Sequence, residues 1–481
     1  MLIRQAGIHL VANAASALLG LLSVSIFTRL FSPHDYGTYL LGAGFAAIVS
    51  VFLVGWFRNM VLSGHARNDG TDIRGLVLAG YLLWCLTVPL AYGAGLAIGL
   101  DGAAALAAIA LAAAVGLFEL TQDLLRARLE AAVVMKGTLV RAFAALALGV
   151  TIAIAHPSGL GLLMTAALAA VVAMLGQARR AWRGTRIAFD RARLAAVARQ
   201  GLPLTLSLTL LAVSDVTDRF MIAHLIGTAD AGKYVAALDL VRQTLMMPAI
   251  SAAAAFFPIA VQIHASKGGA AVRGHLADCS ELLLGMILPA SLGLAVIAPH
   301  VANVILGADF RDLAAQTMPV IAIAVVFQIM SQQYLHASFL LAGRNAFYLI
   351  NTAVIIVVNV VLTYGLVSNY GTAGAAWARL GADVTGFFCA LILSRVAFPI
   401  PLPFDRLSLV IVAGLVMALT VGAIDRTMHL GDLPACAALV AAGVVSCAAM
   451  YWLLDIARFR DRLKQALALF RTTFANTNTG S

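Results

Sequence analysis

Asp215, Asp218, Arg219, Asp239 and Arg242 stand inside two apolar segments, each long enough to cross a membrane, in the stretch from Ser214 to Gln243. A charge at the bilayer centre costs about 2.5–3.5 kcal/mol on insertion scales, so such residues face a bundle interior or a watery cavity. The chemistry on offer is electrostatic. An arginine fork holds anions and stays protonated, and intramembrane carboxylates carry coupling ions or protons. The stretch is expected to line the central cavity of a transporter.

Spacing offers a rival use for the same residues. Asp215 and Arg219 are at i,i+4, Asp239 and Arg242 at i,i+3, and Arg379 and Asp383 at i,i+4. Opposite charges so spaced share a helix face and can neutralise each other without touching cargo. Asp218 has no arginine four residues away, which makes it the expected proton carrier among Asp215, Asp218, Asp239, Asp383 and Glu119.

Depth separates the cationic candidates Arg29, Arg58, Arg219, Arg242 and Arg379. Counted from the segment ends at 1.5 Å per residue, Arg242 is about 15 Å deep and Arg379 about 12 Å. Arg219 falls in the outer half of its segment. Arg29 and Arg58 lie near helix ends, where a long side chain can snorkel to the interface.

Metal and nucleotide chemistry find no support. His9, His156, His224, His300 and His336 lack ligand spacing. Cys85, Cys279, Cys389, Cys436 and Cys447 form no CxxC and read as packing residues. No P-loop is present and no cofactor is called for.

The elements that must position these charges are membrane helices. The chain is 62% hydrophobic and only 11% charged, whereas a soluble domain carries about 25% charged residues. Its apolar runs are long and continuous rather than alternating, so the fold is an all-α polytopic membrane protein and not a barrel. Fourteen segments are expected, at about 8–31, 36–62, 74–99, 103–125, 133–155, 160–177, 203–226, 232–261, 276–298, 313–341, 347–367, 372–398, 407–424 and 433–456. The first is too long for a signal-peptide core and reads as an uncleaved helix.

Of the 32 Lys and Arg, the outer loops hold only Lys233, Arg311 and Arg426 when both termini are cytoplasmic, which fixes that orientation. The net charge of +10 thus reflects topology and not nucleic acid. Two basic stretches, Arg179–Arg199 and the tail around Arg458, Arg460, Arg462 and Lys464, alternate with Trp182, Ile187, Phe189, Leu194, Leu463, Leu467 and Phe470. They are expected to lie on anionic membrane lipids.

The chain also repeats itself. Asp35-Tyr36-Gly37-Thr38-Tyr39 after the first segment returns as Asp230-Ala231-Gly232-Lys233-Tyr234 after the seventh. Pro89 has a counterpart in Pro289, and Gln122-Asp123-Leu124-Leu125 in Gln332-Gln333-Tyr334-Leu335. An offset of six helices preserves orientation, giving parallel repeats about an axis along the membrane normal. The expected units are a six-helix lobe at 1–178, a basic interfacial linker at 179–202, a second lobe at 203–398, two added helices at 399–456 and a basic tail at 457–481.

On Thr28-Arg29-Leu30-Phe31-Ser32-Pro33-His34-Asp35-Tyr36-Gly37-Thr38-Tyr39, on Ser214–Arg219 through Gly232-Lys233-Tyr234, and on Tyr370-Gly371-Thr372-Ala373-Gly374-Ala375-Ala376, the chain resembles the Wzx-type polysaccharide transporters of the multidrug/oligosaccharidyl-lipid/polysaccharide (MOP) superfamily. The resemblance covers essentially the whole chain. It implies two six-helix lobes, alternating access, and a cargo of polyprenyl-pyrophosphate-linked oligosaccharide moved outward across a bacterial inner membrane for surface polysaccharide. A polysaccharide polymerase or chain-length regulator is the implied protein partner. Arginine suits the pyrophosphate by bidentate contact.

Lipid II flippases and multidrug exporters of the same superfamily share that fold, so fold alone does not choose among them. A small-cation exporter wants uncompensated carboxylates, whereas arginine accompanies most of the deep acids here. A membrane-embedded polymerase or acyltransferase needs a catalytic loop, and the longest outer loop, about 299–312, holds no nucleophile–base set. Transport is the expected function.

Overall fold

The computed structural model describes residues 2–66, 74–187, 189–428 and 430–461, which form helices joined by short turns, with no strand among the described residues. In chain order these are α1 (Leu2–Leu30), α2 (Pro33–Ala66), α3 (Arg74–Leu83), α4 (Val88–Ala97), α5 (Gly102–Ala127), α6 (Ala131–Ala155), α7 (Gly159–Trp182), α8 (Arg191–Leu225) and α9 (Thr228–Val296). They continue as α10 (Ala298–Ile305), α11 (Ala308–Ile329), α12 (Ala337–Leu341), α13 (Asn345–Ala397), α14 (Phe404–Thr427) and α15 (Asp432–Leu454).

Polar side chains start several of them. Asp101 accepts the Ala104 amide at 2.8 Å to cap α5. Ser158 accepts that of Gly161 at 3.1 Å for α7, and Asp190 that of Arg193 at 3.1 Å for α8. Each satisfies an amide the first helical turn leaves orphaned.

Helix and span are different units in this chain. The 69 residues of α9 would extend about 100 Å if straight, against about 30 Å of hydrocarbon. They make two spans, divided at Gly268, where φ is 78°. The 53-residue α13 divides in the same way at Gly371, where φ is 61°. Both are left-handed conformations that glycine adopts without steric cost. Conversely, α3 and α4 form one span bent by 51° at the turn Trp84–Thr87, just ahead of Pro89. A π-type turn over Met330–Leu335 joins α11 to α12. Nine described helices are long and apolar enough to cross a membrane as they stand. With these divisions, and with α1 and the charged α8, the crossing segments number about fourteen, as expected.

Two local expectations need correcting. The segment expected to be a plain loop at 299–312 contains α10. The basic stretch at 179–202 is not one continuous element. Arg179 and Arg180 close α7, a short connection follows, and α8 already begins at Arg191 because Asp190 caps it there. Ile187 and Phe189 in that connection are 53% and 62% exposed, so they are free to enter lipid. Arg462, Leu463, Lys464, Leu467 and Phe470 lie outside the described residues, as do the side chains of His9 and Cys85.

Side chains pack into two main cores. One lies wholly between Leu41 and Leu194 and includes Phe45, Phe57, Val77 and Leu120. The other centres on α9, α11 and α13 and takes in Phe27 of α1, Phe31 of the turn that follows it and Tyr36 of α2. In lipid such packing rests on close contact rather than on expulsion of water. It is close enough to exclude a side chain where the two Asp-x-Gly motifs meet. A Cβ on Gly232 would stand 2.4 Å from the Pro33 carbonyl oxygen and 2.8 Å from Gly37 Cα. A Cβ on Gly37 would stand 2.2 Å from the Thr228 carbonyl oxygen. The repeated glycines thus let the start of α2 touch the start of α9 backbone to backbone.

Candidate functional site

The charges of α8, α9 and α13 form one network, and all but one of its ion pairs run between helices. Because α8 and α9 are antiparallel neighbours, residues 20 or more positions apart face each other. Arg242 Nη2 donates to Asp215 Oδ1 at 2.7 Å, and Arg219 Nη2 lies 3.7 Å from Asp239 Oδ1. The same-helix pairs expected for Asp215–Arg219 and Asp239–Arg242 are therefore exchanged for cross-helix ones. An arginine side chain spans the gap between packed helices, which spacing along one helix cannot register. The Arg379–Asp383 pair is present as expected, with Nε donating to Oδ2 at 2.9 Å.

Arg379 is 4% exposed and sits at the hub. Its guanidinium also reaches Asp218 Oδ2 at 3.4 Å and Asp215 Oδ1 at 3.8 Å. Asp218, fully buried, therefore does have an arginine partner, contrary to the spacing argument, and it accepts the Tyr234 hydroxyl at 3.0 Å. Gln328 of α11 donates to Asp215 at 3.4 Å. Three arginines thus meet four aspartates, leaving one carboxylate in excess.

Not every donor is used. Nε of Arg219 and Nε of Arg242 are buried without a partner among the described residues. Arg219 also packs its aliphatic stem over Gly44 of α2, where a Cβ would lie 3.4 Å from its Cδ.

Beside this network lies a cavity of about 510 Å³ between α1, α2, α5, α6 and α7 on one side and α9 on the other. Tyr39, Thr138, Arg141, Asp239 and Gln243 supply its main polar groups. Asp239 is where the network reaches it. A second cavity of about 480 Å³, apolar, lies between the second half of α9 and α14–α15, and Met286, Leu294, Met417, Val440 and Tyr451 are among its walls.

The sequence model of a family described as polysaccharide biosynthesis protein matches residues 26–315, which takes in the repeated Asp-x-Gly motifs and most of the charged network. The chain belongs to this polysaccharide biosynthesis family. Comparison with curated proteins finds no match. Among solved structures, the chain is similar to the lipid II flippase MurJ in its inward closed conformation, with a TM-score of 0.77 at 13% identity over 94% of this chain and 99% of that one. It is also similar to an inward-facing multidrug resistance MATE transporter of the MOP superfamily, with a TM-score of 0.57 at 17% identity over 84% and 95%. An outward-facing MATE structure gives 0.54 at 16% identity over 85% and 95%. At such identities the likeness is one of fold, and the fold is that of the MOP superfamily, as the resemblance implied.

The remaining expected site residues of this family member fall elsewhere. Arg58 of α2 donates through Nε to Asp123 at 2.6 Å and approaches Glu119 at 3.3 Å, with Arg126 on the far side of Asp123 at 2.8 Å. This is a separate, charge-balanced cluster between α2 and α5. Arg29 donates to the Val304 carbonyl at 2.6 Å, at the C-terminal end of α10 where the helix dipole favours a cation. Next to it, Thr28 Oγ1 accepts the Gly307 amide at 3.0 Å. Both contacts join the first helix to the second half of the chain near the glycine crossing.

Arg141 was not among the expected site residues, yet it lines the cavity. The signal was available. It lies ten residues into α6, and no acid stands three or four positions to either side.

Proposed function

We propose that this chain is a flippase that carries polyprenyl-pyrophosphate-linked oligosaccharide from the cytoplasmic to the outer leaflet of a bacterial inner membrane by alternating access, for surface polysaccharide. The observation that carries the proposal is the 510 Å³ cavity between α1, α2, α5, α6 and α7 on one side and α9 on the other, an apolar space into which Tyr39, Thr138, Arg141, Asp239 and Gln243 bring polar groups, next to an end of the molecule closed by glycine contacts. The halves act as the two lobes, and parting at the glycine crossing admits the cavity to the opposite side. With both termini cytoplasmic, the shut end is the outer one.

Arg219 and Arg242 serve as the pyrophosphate anchors, since each retains an unused Nε donor. Arg379, surrounded by three aspartates, is the internal counter-charge. The excess carboxylate is what a coupling proton or cation neutralises, and Asp239, facing the cavity, is positioned to take it. The polyprenyl chain stays in lipid, with the apolar cavity beside α14 and α15 as its lodging. Exposed Ile187 and Phe189 among Arg186, Arg191 and Arg193 rest on anionic lipid headgroups, and a polymerase or chain-length regulator receives the product.

Arginine offsets three of the four deep aspartates, which leaves a single carboxylate for a cation and disfavours a small-cation cargo and with it multidrug export. A lipid II flippase would carry the same class of anion, and cross-complementation separates the two. The test is polymer at the cell surface in a strain relying on the variant protein. Arg219→Ala and Arg242→Ala should each abolish it with protein level retained, and normal polymer from both removes the anchor assignment. A reporter fused after Asp309 should be exposed outside; a cytoplasmic signal there refutes the orientation.

A further inference from the structure

Asp278, Glu281 and Gly285 follow one another at spacings of three and four, so they share one face of the second span of α9. Each meets a different element there. Asp278 accepts from Arg406 of α14 at 2.8 Å. Glu281, 8% exposed, accepts the Ala457 amide at 2.6 Å and lies 3.4 Å from the same arginine. The Gly285 carbonyl accepts the Tyr451 hydroxyl of α15. At further steps of four, Pro289 and Gly293 continue this face as a wall of the apolar cavity. One helix face thus forms the cavity wall and also gathers the elements at its end.

What closes that end is the turn after α15. Asp455, Ala457 and Arg458 have φ of 48°, 54° and 54°. Aspartate visits the left-handed region readily, whereas alanine and arginine do not, and a plain helix end places glycine there. The strained path reverses the chain. Arg460 returns to donate to the Trp452 and Leu453 carbonyls at 2.8 and 3.1 Å. Phe459 is set edge-on to Tyr451 with centroids 6.2 Å apart, and it becomes the lining residue supplied from beyond α15. Strain of this kind persists only where the surroundings hold it, and it clusters at clamps and switches. The Glu281 carboxylate supplies part of that hold, on the amide of Ala457 itself.

We propose that residues 455–460 are a latch on the cytoplasmic end of the apolar cavity, with Phe459 as the part that blocks it and Glu281 as the catch. Release opens the space between α9, α14 and α15 to a hydrocarbon chain from the cytoplasmic leaflet, and closing retains that chain. The orientation and the chain in the cavity rest on the flippase reading; the control of entry is added to it.

The test is photolabelling of the full-length protein in nanodiscs by a diazirine-bearing farnesol, a chain with neither phosphate nor sugar. Label on residues 439–448, read by peptide mass spectrometry, reports entry. Glu281→Ala should raise it by about 2- to 10-fold, the shift that loss of one hydrogen bond gives an equilibrium, and Phe459→Ala by at least as much. Glu281→Gln keeps an oxygen acceptor and should label close to the wild type. Arg458 is exposed, and Arg458→Asn, at ease in the left-handed region, should hold the turn shut and lower labelling several-fold. Thermal melting checks that each variant is folded, and Phe459→Ala with Arg458→Asn carries the test if Glu281→Ala is not. Equal labelling across the folded variants overturns the latch and leaves the flippase reading standing. Absence of label from every form overturns the latch as well. Labelling that follows the latch, in a protein on which surface polymer does not depend, sinks the flippase reading alone.

Discussion

Arg379 and Arg242 look equivalent in the sequence, each a lone cation deep in an apolar run beside an aspartate, and the structure gives them opposite burdens. Arg379 is 4% exposed and touches three carboxylates, two of which, Asp218 and Asp383, are buried still more completely. Removing one partner of a buried ion pair costs about 3–5 kcal/mol, because the charge left behind is uncompensated. Arg379→Ala should therefore lower the melting temperature in detergent sharply and reduce the protein recovered from membranes. Arg242→Ala leaves Asp215 with a side chain 38% exposed and still beside Arg379 and Gln328, so it should melt close to the wild type while losing transport. Equal melting temperatures for the two variants would remove the distinction. Asp239→Asn should likewise keep the protein and lose pH-dependent transport in vesicles, whereas Asp218→Asn should lose the protein, because Tyr234 and Arg379 both depend on that carboxylate. That charges cluster here was legible from composition within the apolar runs. Which aspartate each arginine takes was not, since partners 27 positions apart, such as Asp215 and Arg242, are joined by the helix hairpin and not by helical periodicity.

At the scale of elements, the positions of the helices were legible because an apolar run of about 20 residues has few other uses. Their joints were less so. Gly268 and Gly371 let two helices run on as one backbone path with a single left-handed residue between them; Gly371 falls in the short gap expected between 367 and 372, whereas the wider gap expected between 261 and 276 does not single out Gly268. The short α10 was also missed, and it carries a contact of its own. His300 Nδ1 lies 2.7 Å from Asp432 and Nε2 2.9 Å from Asp425, so one imidazole ties α10 to the adjoining ends of α14 and α15. At the other ends of those helices, Arg406 pairs with Asp278 at 2.8 Å and the Tyr451 hydroxyl donates to the Gly285 carbonyl. The added helices are thus pinned at both ends across the apolar cavity. The hydrogen bond to Asp432, helped by Asp425, raises the His300 pKa above its usual 6.5. A raised folded-state pKa stabilises fully below the unfolded value and loses that contribution as pH rises through the folded one. The melting temperature should therefore fall as pH is raised from 6 toward and beyond the folded pKa, and His300→Gln should flatten that slope. An unchanged slope would assign the pH response to other groups.

At the scale of the whole molecule, the recurrence of Asp35–Tyr39 as Asp230–Tyr234 was legible in the sequence, but not the fact that the two motifs touch. The repeated motif puts a glycine at the start of α2 and another at the start of α9, and the two starts lie against each other. Gly37 and Gly232 are what make that contact. The Arg29–Val304 and Thr28–Gly307 hydrogen bonds close the same end, and Tyr36 sets its ring edge-on to Phe310 with centroids 5.9 Å apart. The alternating access proposed above requires this end to part, so its stability would then set how often the cavity opens there. A methyl at position 232 would stand 2.4 Å from the Pro33 carbonyl oxygen, a backbone atom that cannot rotate away. Overpacking of this kind costs about 1–3 kcal/mol. Here the cost falls on the shut state alone, because the contact is absent once the halves separate. Gly232→Ala should therefore shift the equilibrium toward the state open at this end by about 5- to 150-fold. Leu306, fully buried beside the crossing, offers a reporter. A Leu306→Cys side chain should react slowly with a membrane-impermeant maleimide applied to intact cells, and several-fold faster when Gly232→Ala is added. Gly93→Ala, where an added Cβ meets nothing within 4 Å, controls for the loss of a glycine as such. Equal labelling with and without Gly232→Ala would mean that the glycine crossing does not govern opening at this end.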